Sequence, residues 1–191
     1  MDFGQFKQEL FNCRQCRQLF GFEPRPVLWG NSTAPIVHIS QAPSWRVHLA
    51  GKPFDDKSGQ HLRHDWYQIS DETFYNPDIF YLTNVGHCYP GKNESQGDRK
   101  PPKVCAQKWL TRELKFLRPR LFLLVGSYAA AYFFPKRKFT DLVFDNLGIN
   151  HIPCFVLPHP SPLNIKWFKN NPQFEREKLT QIRAAIKKIV L

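Results

Sequence analysis

Leu121-Phe122-Leu123-Leu124-Val125-Gly126-Ser127-Tyr128-Ala129-Ala130-Ala131-Tyr132-Phe133-Phe134 decides the fold. Five consecutive apolar residues are too few for a helix and read as a strand covered on both faces. Gly126 ends the run, and residues 127–134 continue with helical spacing. Working outward, three more short apolar runs read as buried strands, at residues 36–40, 80–85 and 154–157. Helical spacing recurs between and around them, at residues 101–117 and 140–146. In the opening segment Phe3, Phe6, Leu10 and Phe11 share one face. Residues 172–190 turn Phe174, Leu179, Ile182, Ala185, Ile186 and Val190 inward. This alternation predicts an α/β fold, three-layer α/β/α, with a short, mostly parallel four-stranded central sheet. No repeat or linker divides the chain, so residues 1–191 are expected to form a single domain.

Ligands of such sheets bind beyond the carboxyl ends of the strands. Here those ends run into Gln41-Ala42-Pro43-Ser44, Thr83-Asn84, Gly126 and His159-Pro160-Ser161-Pro162-Leu163-Asn164. Polar, proline-stiffened loops therefore converge on one edge, the default site.

The chain carries 27 Lys+Arg against 16 Asp+Glu, a formal net charge of +11. Residues 111–191 alone hold 14 basic and 5 acidic side chains, which is +9 of that total. A basic excess of this kind suits a polyanion such as nucleic acid, because each neutralised phosphate releases counterions. No apolar run reaches the roughly 18–20 residues that cross a bilayer. The first twenty residues mix Asp, Gln, Lys, Glu and Arg, which predicts no secretory signal. A soluble, cytoplasmic monomer with no membrane partner is expected.

Five cysteines, an odd number, argue against a disulfide framework. Cys13-x2-Cys16 has chelating spacing, and Cys88 and Cys105 lie in non-strand settings. Four thiolates from two distant regions fit a structural Zn2+ or an iron–sulfur cluster; a redox pair or unrelated free thiols are the other readings. Cys154 lies within an apolar run and reads as an ordinary buried residue.

Four elements occur in order: Cys13-x2-Cys16, Gln41-Ala42-Pro43-Ser44 followed by Gly51-Lys52-Pro53-Phe54, Leu82-Thr83-Asn84-Val85-x2-Cys88, and His159-Pro160-Ser161-Pro162. In this combination the chain resembles the uracil-DNA glycosylase superfamily, in particular its iron–sulfur-containing branch. The resemblance implies a [4Fe-4S] cluster on Cys13, Cys16, Cys88 and Cys105, with Zn2+ as the alternative. It implies excision of uracil or another deaminated base from single- or double-stranded DNA, by flipping the nucleotide into a pocket. Gln41, Ala42 and Pro43 would line that pocket. Phe54 would stack on the base, Asn84 would read its edge, and His159 would donate to the departing O2. Leu163 matches the wedge that fills the gap in the stack. Ser44 and Ser161 would contact phosphates, with Lys166 and Lys169 nearby in a basic aromatic stretch.

The chain also departs from that branch. Gln41 stands where an acidic residue is usual, Ser40 and Ser44 where glycine is usual, and Val47 and His48 where a further acidic pair follows. In the best-known branch an Asp activates water at the place of Ala42. His48, Asp55 and Asp56 are the remaining candidates for activating water. Two alternatives accompany the enzyme reading. One is a DNA-binding protein on the same fold that has lost catalysis and recognises damaged or single-stranded DNA. The other is a zinc-stabilised RNA-binding domain, which accounts for the cysteines and charge but not for the strand-end motifs.

Overall fold

The computed structural model describes residues 1–161 and 164–190. Among these residues five strands form one sheet: β1 (Ile36–Ser40), β2 (Phe80–Asn84), β3 (Leu121–Val125), β4 (Leu147–Ile149) and β5 (Ile152–Leu157). Their order is β2-β1-β3-β5-β4. β1 runs parallel to β2 and β3, β3 runs parallel to β5, and β4 alone is antiparallel, against β5. Every residue of β1, β2 and β3 is buried. A strand buried at both odd and even positions is covered on both faces, so these three apolar runs dictate a layer of helices on each side.

The expected four-stranded sheet thus gains an edge strand. Asn150 and His151 both adopt left-handed φ values, 49° and 66°, and reverse the chain in two residues. That hand matches the twist of paired strands. Asn-His lacks the glycine that usually marks such a turn, and Leu147-Gly148-Ile149 is short and not fully buried, so apolar patterning does not reveal it.

The first helix, Phe3–Phe11, is fixed by a reciprocal cap between Asp2 and Gln5. It buries Phe6 and Leu10 completely, whereas Phe11, at the helix end, is 41% exposed and lies outside the expected apolar face. Three longer helical segments, at residues 57–67, 103–113 and 174–190, each include a π-helical stretch: His61–Tyr67, Ala106–Leu110 and Phe174–Lys178. The last segment buries Phe174, Leu179, Ile182 and Ile186, as its spacing predicts, while Ala185 and Val190 are half-buried. Among the described residues no helix is long and apolar enough to cross a membrane.

The carboxyl ends of the strands lie along one edge, and the ladder continues past them. Ser40 and Asn84 are in register. The Val85 and Gly86 amides then donate to the carbonyls of Ser40 and Gln41 at 2.8 and 2.9 Å, which leads the loop after β1 alongside the loop after β2. Gly126 leaves β3 at φ +89° and ψ 163°, a conformation that favours glycine, before the helix Ser127–Phe133.

Candidate active site

A cleft of about 480 Å³ opens at this edge. Its walls include Gln41, Ala42, Pro43, Ser44, Phe54, Asp56, Asn84, His159 and Ser161. Residues from four separate parts of the sequence therefore meet in one concavity. Ser40, Ser58, Asp98 and Asn164 line it as well, and of these Ser58 and Asp98 belong to no motif. Asp98 had only its position on the long loop at residues 90–102 to signal it.

Asn84 is 4% exposed at the bottom of the cleft, and its Oδ1 accepts a short hydrogen bond from Ser40 Oγ. This orients the amide: the Nδ2 donors are directed away from Ser40, and Oδ1 keeps one lone pair.

Phe54 is half-buried and sits at φ +56°, left-handed for a residue with a large side chain. Such a conformation costs on the order of 1–2 kcal/mol and persists only where neighbours impose it. Two neighbours do. Arg63 Nη1 donates to the Phe54 carbonyl at 2.8 Å. Gly59 lies so close that a Cβ there would come within 2.0 Å of the same oxygen. The ring stands edge-on to His38, 4.7 Å between centroids, and to Phe74, 5.8 Å.

His38 is wholly buried in β1, and neither ring nitrogen has a hydrogen-bond partner among the described residues; nor has the Tyr67 hydroxyl beside it. Burial pushes the His38 pKa down to about 3 and the Tyr67 phenol up. His38 is therefore a neutral imidazole behind the Phe54 ring.

His159 is exposed to the cleft, yet the surrounding walls lower its pKa, with Asp56 and Asp98 acting in the opposite sense. This favours the neutral imidazole, whose N–H can donate a hydrogen bond without carrying charge. Asn164 Nδ2 donates to the His159 carbonyl at 2.8 Å, and the Asn164 amide to Ser161 O at 3.0 Å. Leu163, the expected wedge, lies outside the described residues.

Asp56 caps the helix Lys57–Gln60, accepting from the Gly59 amide at 2.9 Å through Oδ1, while Oδ2 accepts from Ser44 Oγ at 3.0 Å. Ser44 in turn caps Trp45–Ala50. Its hydroxyl is thus committed to Asp56 and the cap, although it does line the cleft.

His48 does not line the cleft. Placed a turn into the helix Trp45–Ala50, it turns to the opposite side, where its ring stacks on Trp45 at 5.0 Å and 15° and meets Phe22 edge-on at 5.4 Å. Burial, aided by Arg25, lowers its pKa. Lys166 and Lys169 are exposed on the helix Ile165–Asn170. The aromatics between them are structural: Trp167 stacks on Phe144 and Phe168 packs on Trp66.

The four cysteines Cys13, Cys16, Cys88 and Cys105 surround a second, narrow cavity, walled also by Leu10, Phe20 and Trp109. Burial raises the pKa of Cys16 and of Cys88, and the neighbouring thiols add to both shifts, so the four sit close enough to repel as thiolates. Yet among the described residues no three Cys, His, Asp or Glu converge tightly enough to chelate one ion. A tetrahedral Zn2+ needs every sulfur about 2.3 Å from a single point, whereas a cluster takes one thiolate per corner. Four thiols around one cavity have the donor chemistry of a thiolate-held centre, a cluster or a zinc ion. Cys105 is also tied into a buried polar chain. The His87 amide donates to its Sγ at 3.4 Å, and the His87 ring pairs with Glu113 at 2.7 Å, which Tyr81 Oη also reaches at 2.7 Å. Burial alone would lower the His87 pKa, but Glu113 and the Cys105 sulfur outweigh it and raise it to about 10. Cys154 is buried in β5.

The family model described as the uracil DNA glycosylase superfamily matches residues 28–183. The chain belongs to that superfamily. It is 28% identical over 130 residues to a type-4 uracil-DNA glycosylase of Saccharolobus solfataricus, covering 67% of this chain and 57% of that protein. It is 29% identical over 146 residues to a type-4 uracil-DNA glycosylase of Archaeoglobus fulgidus, covering 74% and 66%. A type-5 uracil-DNA glycosylase of Pyrobaculum aerophilum is 23% identical over 193 residues, covering 85% and 84%. The chain thus spans less than two thirds of the length of the two type-4 relatives. Cys13 and Cys16 precede the segment that the superfamily model matches, and Cys88 and Cys105 fall within it.

Proposed function

We propose that this protein is a monofunctional DNA glycosylase of base-excision repair, acting as one domain in the cytoplasm on uracil or another deaminated base in DNA. The observation that carries this reading is the convergence of Phe54, Asn84 and His159 in one cleft of a superfamily member.

The chemistry follows from the geometry. An extruded base stacks on the Phe54 ring, between Gln41-Ala42-Pro43 and the His159 loop. Asn84 Nδ2 donates to the uracil O4, and the free lone pair of Oδ1 accepts from N3–H. Cytosine presents an amino donor where uracil presents O4, so the oriented amide rejects it. As the C1′–N1 bond breaks, its electron pair goes to the base, and neutral His159 donates a hydrogen bond to the O2 where charge develops. Water adds at C1′ and loses a proton. Asp56 is the carboxylate for that step, since His48 faces away; the free base and an abasic sugar are the products. Ser161, Lys166 and Lys169 hold the phosphates, and Ser44 acts mainly by orienting Asp56. Cys13, Cys16, Cys88 and Cys105 would hold a [4Fe-4S] cluster, which would cross-link the N-terminal segment to the region after β2.

The test is base release from single- and double-stranded oligonucleotides bearing uracil, hypoxanthine or xanthine, for the wild type beside Asn84→Ala and His159→Ala. Release from uracil DNA, lowered at least a hundredfold in both variants, is expected. No release from any substrate with DNA binding intact would establish instead a non-catalytic DNA-binding protein.

A further inference from the structure

Beside the cleft lies an aromatic surface that the proposed chemistry does not use. Trp45 follows Ser44 in the chain and is 47% exposed. One face of its indole rests on the His48 ring, at 5.0 Å and 15°. Tyr89 abuts it at 5.4 Å and Phe22 meets it edge-on at 6.0 Å. Phe22 itself stacks on Tyr89 at 5.8 Å and on Phe20 at 5.6 Å. These rings line a shallow pocket with the exposed cations Lys92 and Arg99 on its rim. A half-exposed indole backed by packed rings is pre-organised, with one flat face covered and the other open.

The two concavities are adjacent. Ser44 lines the cleft and Trp45 the pocket. On the far side Asp98 lines the cleft and holds Lys92, on the pocket rim, at 2.7 Å. Flat apolar faces interleaved with cations recognise unstacked bases on a phosphate backbone. An acidic or purely apolar partner would leave either the cations or the rings unused.

We propose that Trp45, with Tyr89, Lys92 and Arg99, forms a second nucleobase subsite, which takes an unpaired base of the DNA strand flanking the one in the cleft. The placement beside the cleft rests on the function proposed above, and the subsite makes the protein favour single-stranded over fully stacked DNA. His48 is then a positioning residue that holds the indole flat.

The test is fluorescence anisotropy with undamaged oligo-dT and with an undamaged duplex of equal length. A stacked base contributes roughly five- to hundredfold in affinity. Trp45→Ala is expected to weaken oligo-dT binding about tenfold and duplex binding less than twofold, with Trp45→Phe restoring most of the loss. Arg99→Gln is expected to weaken oligo-dT binding and to flatten its salt dependence. Unchanged oligo-dT affinity in Trp45→Ala, or an equal loss on both DNAs, would overturn the subsite. Because these ligands carry no damaged base, failure of base release leaves this outcome readable, and the reverse also holds.

Discussion

Ser40 and Asn84 end two neighbouring parallel strands in register, and the Ser40 hydroxyl donates to Asn84 Oδ1. The pair turns a flexible amide into an oriented donor at the bottom of the cleft. Removing the serine hydroxyl leaves the Asn84 backbone in place but frees the amide to rotate. Ser40→Ala is expected to lower the preference for uracil over cytosine by about tenfold, corresponding to roughly 1–2 kcal/mol for one hydrogen bond. Competition kinetics on paired uracil and cytosine substrates measure it. An undiminished preference would show that Ser40 does not orient the amide.

Asp56 caps a helix and, in the proposed mechanism, activates water; a single substitution separates the two. Asparagine caps helices as well as aspartate does, so Asp56→Asn keeps the bond to the Gly59 amide while removing the charge and the oxygen that accepts from Ser44 Oγ. Its expected effect is a fall in single-turnover base release of about 10²- to 10⁴-fold, the usual range for general acid–base catalysis, with the melting temperature nearly unchanged. A rate close to wild type would remove Asp56 from the mechanism.

Gly59 is required by the Phe54 carbonyl, which a Cβ would approach within 2.0 Å. Gly59→Ala must displace Phe54 from its left-handed seat. A fall in stability of about 1–3 kcal/mol, together with a rise in KM for the damaged oligonucleotide, is expected from urea unfolding and steady-state kinetics. A variant matching wild type in both would show that the close approach relaxes freely.

His38 makes the fold sensitive to acid. Its pKa is about 3 in the folded protein, against an ordinary value near 6.5. The unfolded chain therefore takes up a proton first as pH falls. The stability associated with the neutral ring is complete above pH 6.5 and is lost as pH falls toward 3, at up to roughly 1.4 kcal/mol per unit. The groups packed around it, Phe54, Phe74 and the Tyr67 hydroxyl, offer no negative charge in this range. Between pH 6.5 and 4.5 wild type should lose about 2 kcal/mol more than His38→Leu, measured by urea unfolding at each pH. Parallel losses in the two proteins would contradict the neutral, unpartnered ring.

The cysteine cavity predicts metal content directly. Anaerobically prepared wild type should contain iron and acid-labile sulfide, and Cys88→Ala should lose both along with a large part of its thermal stability. Zinc in place of iron, in one equivalent, would refute the cluster. So would a Cys88→Ala variant with full iron content.

The sequence by itself determined the α/β class, because apolar runs of strand length separated by helical spacing bury themselves in only a few ways. It determined the four parallel strands, since β1, β2, β3 and β5 each carry at least three apolar residues within a run of strand length. The candidate residues were also legible: Phe54, Asn84, His159 and three of the cysteines stand in the quoted motifs, Asp56 follows Phe54 closely, and Cys105 lies outside the predicted strands. Tertiary structure alone decided what each side chain faces. His48, Asp55 and Asp56 were all candidates for activating water, yet His48 turns to Trp45 while Asp56 lines the cleft with its oxygens held by Ser44 and the Gly59 amide. The basic aromatic stretch holding Trp167 and Phe168 suits stacking on bases, but these rings pack on Phe144 and Trp66, while Trp45, in no motif, is the half-exposed ring backed by its neighbours. The edge strand and the left-handed Phe54 were likewise hidden. Local pattern reports how often a chain turns its apolar residues inward. Which polar atom meets which depends on contacts between residues far apart in sequence, such as Ser40 with Asn84, and these exist only once the strands are paired.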